Sequence, residues 1–268
     1  MKFVAAAVQM LAGDDKQANL QQATGWVRDA AARGARLVAL PEVFIWRGSK
    51  KLERQFAEPI PGPTSIRLSE LARELGIYLL AGSILEEISN SERAYNTSLL
   101  FDPAGAQIAC YRKIHLFDVD LPNGVSLRES QTRAHGHEPV VAQTELGAMG
   151  LSVCYDVRFP ELYRKLAERG AEIIFVPSAF TAYTGEAHWE TLLRARAIEN
   201  QTYVIAPDQF GKSANSFETY GHSMIVDPWG KIIAELRDGP GVISAIIDLD
   251  FLARVRAELP ALSHRRLT

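Results

Sequence analysis

Cys154 follows the apolar run Leu151-Ser152-Val153 and precedes a helical segment that opens at Pro160. A thiol in that place sits on the turn at the carboxyl end of a strand, where α/β enzymes display reactive groups. The position alone leaves two readings open: a nucleophile, or the small buried hydrophobe that most free cysteines are. Cys110, in Gln107-Ile108-Ala109-Cys110-Tyr111, has no turn after it and takes the structural reading.

A thiol that attacks an amide carbonyl needs a base for its proton, a donor for the developing oxyanion and an acid for the departing nitrogen. Glu42 follows Val38-Ala39-Leu40-Pro41 and begins a run through Val43-Phe44-Ile45-Trp46, so its carboxylate stands at the exit of a buried strand. Partial desolvation there raises a carboxyl toward neutrality, as a base requires. Lys113 ends the strand that runs through Tyr111, where an ammonium can stabilise both a Cys154 thiolate and an oxyanion. A lysine in a loop is more often simply solvated, so the three residues gain weight only together.

The elements that must position them come as short apolar runs alternating with helical patterns, the mark of βα units. Strands are predicted over residues 3–9, 36–40, 77–81, 96–101 and 107–111, and helices over 17–33 and 64–75, stopped by Gly34 and Gly76. A second series repeats the order, with a strand over 151–153, a helix over 160–169, a strand over 172–176, a helix over 188–200 and a strand over 202–206. Leu40-Pro41-Glu42 is answered by Val176-Pro177-Ser178, and both Ser98 to Gly105 and Ser223 to Gly230 read S-x-x-x-D-P-x-G. Two such halves predict an α/β fold, a four-layer α-β-β-α sandwich built from two similar βαβα-ββ halves, with residues 1–268 forming a single domain.

Hydrophobic residues at 47% and charged residues at 23% suit a packed globular chain rather than a disordered one. Lys+Arg 29 against Asp+Glu 32, a net charge of -3, argues against a surface built for a phosphate backbone. The first apolar run meets charge at Asp14, too soon for a secretion signal or a membrane span, and reads as the first strand. Two cysteines in unrelated contexts make no disulfide framework. A cytoplasmic protein with a small-molecule partner, and with neither nucleic acid nor membrane, is expected.

Leu40-Pro41-Glu42, Tyr111-Arg112-Lys113-Ile114-His115-Leu116-Phe117-Asp118 and Cys154-Tyr155-Asp156-Val157-Arg158-Phe159-Pro160-Glu161 resemble the three signature segments of the nitrilase (carbon-nitrogen hydrolase) superfamily. Residues 187–190, 194–200 and 220–224 resemble its Nit branch, so the match covers essentially the whole chain. The resemblance implies the same α-β-β-α fold and a Glu–Lys–Cys triad on Glu42, Lys113 and Cys154. It adds Glu129, in Leu127-Arg128-Glu129-Ser130, as a second glutamate that orients Lys113 and the substrate. It further implies an amidase that acts on a small carboxylated 2-oxo amide. Branch members fused to Fhit in some animals imply hydrolysis of deaminated glutathione to 2-oxoglutarate and cysteinylglycine; the related ω-amidase releases ammonia from 2-oxoglutaramate or 2-oxosuccinamate. A homodimer or larger closed assembly is implied as well, with residues 158–169 and 188–200 as contacts; the stretch 259–266 mixes apolar with basic residues after the final helix and is expected to cross to a partner.

In the expected mechanism Glu42 takes the Cys154 proton, while Lys113 and the backbone N–H of Tyr155 hold the oxyanion of a thioester-forming step. Arg158, Phe180 and Thr181 are assigned to substrate binding, with residues 180–185 discriminating the leaving group. Side chains alone suffice, so no cofactor and no metal is expected. A Cys–His pair through His115 or His188 is a less economical alternative, and a catalytically idle binding protein on the same fold is another. His135-Gly136-His137 lacks a third ligand at metal-site spacing. Gly211-Lys212-Ser213 lacks the glycine of a phosphate loop, Ala206 standing in its place. Asn96-Thr97-Ser98 fits a glycosylation sequon but falls in a predicted strand and reads as silent.

Overall fold

A computed structural model describes residues 1–49, 52–213 and 217–267. The first half contains β1 (Lys2–Gln9), α1 (Lys16–Ala32), β2 (Ala35–Ala39), α2 (Glu53–Phe56), α3 (Pro63–Leu75), β3 (Tyr78–Leu80), β4 (Ile84–Glu87), β5 (Ala94–Phe101) and β6 (Gln107–Arg112). Three short strands follow, β7 (Asp118–Asp120), β8 (Ser126–Arg128) and β9 (Arg133–Ala134). The second half contains β10 (Val140–Thr144), β11 (Gly147–Leu151), α4 (Pro160–Glu168), β12 (Ile173–Phe175), α5 (Ala182–Asn200) and β13 (Tyr203–Ala206). It ends with β14 (Phe210–Lys212), β15 (Glu218–Tyr220), β16 (Ser223–Val226), β17 (Ile232–Leu236), β18 (Gly241–Asp248) and α6 (Leu249–Glu258).

Alternation of side chains along each strand divides the interior into layers. From β1, Phe3, Ala5 and Ala7 join Leu37, Ala39 and Leu80 in a core shared with Met149, Leu151 and Ile173 of the second sheet. Ala6, Val8 and Met10 turn to the other side and pack with Val27 and Ala30 of α1 and Leu68 and Leu71 of α3. One sheet has the order β18-β1-β2-β3-β5-β4, with β6 and β9 also on β5; the other runs β10-β11-β12-β13-β16-β17. In each, three parallel strands are flanked by antiparallel ones. The repeated Asp-Pro-x-Gly segments are the β5–β6 and β16–β17 turns, where Gly105 N donates to Asp102 O and Gly230 N donates to Asp227 O. Helix on sheet, sheet on sheet, sheet on helix is the expected α-β-β-α order.

Several elements differ from expectation. Strands β4, β10 and β18 had no predicted counterpart: β10 is the antiparallel edge of the second sheet, and β18 crosses back from the end of the chain to pair with β1, Lys2 opposite Asp248. Strand β11 stops at Leu151, because residues 152 and 153 bend into a short 3-10 turn at Cys154–Arg158. Helix α5 starts at Ala182 rather than at residue 188. Gly185 weakens the helical signal of its first turn, yet only a glycine fits there, since a Cβ would stand 2.3 Å from the Tyr220 ring.

Candidate active site

The exits of β2, β6 and β11 converge. Pro41-Glu42 leaves β2 over Gly82, whose φ of +41 and whose lack of a Cβ, which would stand 1.9 Å from Pro41 O, let the chain pass so closely. Val43 is held at φ 46 and Cys154 at φ 50. Positive φ is costly for a β-branched residue, and strain of this kind survives only where surrounding structure over-determines it. Here Ser83 Oγ receives the Val43 N–H at 3.0 Å, Gln209 Nε2 donates to Glu42 O at 3.0 Å, and Cys154 N donates to Pro177 O at 3.0 Å. The Cys154 turn is fixed from inside by Asp156, which is fully buried and accepts from Val153 N, Tyr111 OH and both His115 N and Nδ1.

Glu42, Lys113, Glu129 and Cys154 meet in this place, each at most 7% exposed. Lys113 Nζ donates to Glu42 Oε1 at 3.0 Å and to Glu129 Oε2 at 2.9 Å. Glu42 also accepts from Asn96 Nδ2 at 2.8 Å and, on its other oxygen, from Ala179 N at 2.9 Å. Glu129 further accepts from Phe117 N at 2.7 Å and from Arg133 Nη1 at 2.6 Å, and Arg133 Nη2 continues to Glu53 Oε1 at 2.8 Å. Charges therefore alternate along Glu42, Lys113, Glu129, Arg133 and Glu53, so that each buried charge has opposite neighbours.

Burial alone would raise the Glu129 carboxyl, but Lys113, Arg133 and the Phe117 N–H outweigh it and hold the group at about 2. Burial would lower Lys113, and the carboxylates of Glu129 and Glu42 instead hold its ammonium well above the ordinary lysine range. Cys154 is pushed well up, by burial first and then by the Glu42 charge, with Lys113 and the Ala179 N–H opposing. Burial and the Glu42 charge therefore favour the thiol over the Lys113-stabilised thiolate that the sequence suggests. If this sulfur attacks, its proton has to leave, and the Glu42 carboxylate on the same cavity wall is the base at hand.

A cavity of about 500 Å³ opens onto Cys154, Glu42 and Lys113, with Trp46, Arg47, Glu53, Val125 and Phe217 among its walls. Arg47 is buried; it donates to Thr219 Oγ1 and Phe217 O, each at 3.2 Å. Burial lowers its guanidinium to about 10 against the pull of Asp208, Glu42 and Cys154, which leaves it a cation at neutral pH. Tyr155, Arg158, Phe180 and Thr181 line a narrow crevice that leads away from Cys154, with the Arg158 guanidinium over the Phe180 ring at 5.0 Å. His115 is engaged by Asp156 and His188 by Arg158, and neither lines the cavity.

Sequence reasoning missed Asn96, Arg47, Arg133 and Glu53. The sequon reading of Asn96 drew attention away from it, although an asparagine inside an apolar strand, two residues before the repeated S-x-x-x-D-P-x-G, was the available signal. Arg47, Arg133 and Glu53 lie in a loop, a two-residue strand and a one-turn helix, and carry no periodic mark.

The carbon-nitrogen hydrolase family model matches residues 4–257. The chain belongs to the carbon-nitrogen hydrolase family. This carbon-nitrogen hydrolase is 44% identical over 266 residues to a deaminated glutathione amidase of Synechocystis sp., covering 98% of each chain. It is 42% identical over 265 residues to the omega-amidase NIT2 of Xenopus tropicalis, covering 99% of this chain and 95% of the relative. Among solved structures, the C. elegans NitFhit protein superposes with a TM-score of 0.92 at 40% identity, over 99% of this chain and 65% of that one. The family and these relatives make the protein a carbon-nitrogen hydrolase that acts on amides, on an α/β fold matching nitrilase-superfamily structures. No helix among the described residues is long and apolar enough to cross a membrane.

Proposed function

We propose that this carbon-nitrogen hydrolase cleaves the amide of a small carboxylated 2-oxo acid through a thioester on Cys154, with deaminated glutathione as the substrate and 2-oxoglutaramate as the alternative. The observation that carries the reading is the placement of Arg47: a buried cation on the wall of the cavity that holds Glu42, Lys113 and Cys154. An arginine fork is suited to a carboxylate at the far end of a short acyl chain. Deaminated glutathione and 2-oxoglutaramate share that acyl chain and differ only in what leaves, and the names of the relatives divide between the two activities.

In this mechanism Glu42 takes the Cys154 proton as sulfur bonds to the carbonyl carbon. Lys113 has three N–H donors; two face Glu42 and Glu129, and the third, with the Tyr155 N–H, receives the oxyanion. Collapse breaks the carbon–nitrogen bond as Glu42 returns the proton to nitrogen. Glu42 then takes a proton from water, the water oxygen bonds to the acyl carbon, and the carbon–sulfur bond breaks as the sulfur regains a proton. Glu129 orients Lys113, and the alternating charges behind it keep both in place. Tyr155, Arg158, Phe180 and Thr181 shape the approach to the sulfur.

Residues 1–268 are read as one cytoplasmic domain that forms a homodimer or larger closed assembly. Ile198 at 49% exposure and Trp229 at 61% stand at the end of α5 and on the β16–β17 turn, an apolar surface suited to a second copy. The stretch 259–266 returns over α4, Arg265 donating to Glu168 at 2.7 Å, and would extend that surface. Steady-state kcat/KM for deaminated glutathione and 2-oxoglutaramate tests the function: cleavage of neither defeats it, and strong preference for the second moves the protein to ω-amidase. Light scattering that gives a monomer at low concentration defeats the assembly.

A further inference from the structure

A second cavity, of about 460 Å³, lies beyond the first. Val125 and Phe217 line both, so the two spaces share a wall, and Thr181 belongs both to the crevice that starts at Cys154 and to this second cavity. Its volume is in the range of ligand sites. The reaction leaves room for only two directions from the attacked carbon: the acyl chain, which Arg47 receives, and the leaving group. Ammonia needs no subsite. A leaving group the size of a dipeptide does.

The charges of this cavity fit such a group. Lys212 on β14 is exposed there, and among the described residues its ammonium makes neither an ion pair nor a hydrogen bond. Phe217 lines both spaces, with the Arg47 guanidinium of the reaction cavity at 5.6 Å from its ring centre. Tyr183, half exposed on the first turn of α5, gives the cavity an aromatic wall with a hydroxyl. Glu218 lies opposite Lys212 in the β14–β15 pairing, so the lysine has a carboxylate across the strand to compete with a ligand. A carboxylate that reaches Lys212 from the cavity competes only with this cross-strand neighbour, and an exposed pairing of that kind would be weak.

We infer that this second cavity is the leaving-group subsite, taking the carboxylated peptide half of the substrate with Lys212 as its charge partner. The inference rests on the proposed amidase reading and chooses within it: a site for a carboxylated leaving group is of use to a deaminated glutathione amidase and of none to an enzyme that releases only ammonia.

The test compares Lys212→Glu with the wild type on two substrates that share one acyl group. With deaminated glutathione KM should rise roughly tenfold or more, the effect of replacing attraction by repulsion at a charged contact. With 2-oxoglutaramate kcat and KM should stay within about twofold, which also shows that the variant is folded. Cysteinylglycine should inhibit the wild type and lose that inhibition in Lys212→Glu. Equal effects on both substrates, or none on either, overturn the subsite. Wild-type enzyme that cleaves 2-oxoglutaramate but not deaminated glutathione overturns the subsite and leaves the amidase reading standing, whereas cleavage of neither removes both.

Discussion

Asn96 Nδ2 donates to Glu42 Oε1 over 2.8 Å and reaches Glu129 Oε1 at 3.4 Å, while the backbone carbonyl of the same residue accepts the Lys113 N–H at 2.9 Å. One buried residue thus bonds both carboxylates through its side-chain amide and the Lys113 backbone through its own carbonyl. It holds the Glu42 oxygen that also faces Lys113, and so fixes where the carboxylate points. Loss of a hydrogen bond to a charged group is worth about 1.5–3 kcal/mol. Asn96→Leu should therefore lower kcat roughly ten- to a hundredfold with KM little changed. Asn96→Asp should be worse despite its equal size, since it sets a third carboxyl against Glu42 and Glu129. Wild-type kcat in Asn96→Asp would show that the contact positions nothing.

Burial raises the thiols of both Cys110 and Cys154, so a low intrinsic pKa cannot set them apart. Of the two, Cys154 lines the cavity beside the Glu42 carboxylate, whereas Cys110 does not line it. Iodoacetamide should alkylate Cys154 before Cys110 at neutral pH, and Glu42→Gln should erase that order and lower kcat by about 10²–10⁴, the usual range for a general base. Cys154→Ala should leave no turnover and no acyl adduct by intact mass. Labelling order preserved in Glu42→Gln would take the base role away from Glu42.

How far the sequence reached follows a physical line. Strands that end in punctuation were visible: Leu40-Pro41-Glu42 and the Cys154 turn are where backbone geometry demands particular residues, and both are read in order along the chain. Gly34, Gly76 and the Asp-Pro-x-Gly turns marked element ends because positive φ selects glycine, as at Gly76 with φ 63. Strand β18 stayed hidden because its partner is the first strand, at the other end of the chain, and local pattern carries no such pairing. Arg47, Arg133 and Asn96 stayed hidden for the same reason: their importance lies in what three strand exits bring beside them. The upward push on the Cys154 thiol was also out of reach, since it depends on the balance of burial, Glu42 and Lys113 rather than on residue types.

Glu129 is held at about 2 against an ordinary 4.5, so the ion cluster contributes stability only while the carboxyl is ionised. A depressed acid contributes in full above its unfolded value and loses the contribution as pH falls through the folded one, here from about 4.5 toward 2. The shift corresponds to on the order of 3 kcal/mol. Glu129→Gln should lower the urea midpoint at pH 7, and its difference from wild type should narrow as pH is brought below 4.5. It should also lose most activity, as should Lys113→Arg, because a planar guanidinium cannot fill a pocket in which a compact ammonium meets two carboxylates at 2.9 and 3.0 Å. A pH-independent difference in urea midpoint would separate Glu129 from the charge cluster.

Arg47 gives the most direct reading of substrate class. Its guanidinium lies buried on the cavity wall, anchored to Thr219 and the Phe217 carbonyl, so its direction is set before substrate arrives. A pre-positioned fork loses little freedom on binding a carboxylate, and a charge-assisted pair of that kind contributes about 1.5–3 kcal/mol. Arg47→Met keeps much of the packing volume and removes the charge. For 2-oxoglutaramate kcat/KM should fall roughly ten- to a hundredfold, carried mainly by KM. For a neutral amide of similar length, which has no carboxylate to lose, the same variant should match or exceed the wild type, because a buried cation no longer faces an apolar chain. Arg47→Lys should recover only part of the loss, since a single ammonium cannot offer the paired donors of the fork. Equal losses on the charged and the neutral amide would mean that Arg47 supports the loop at Thr219 rather than the substrate, and the carboxylate partner would then have to be sought elsewhere on the cavity wall.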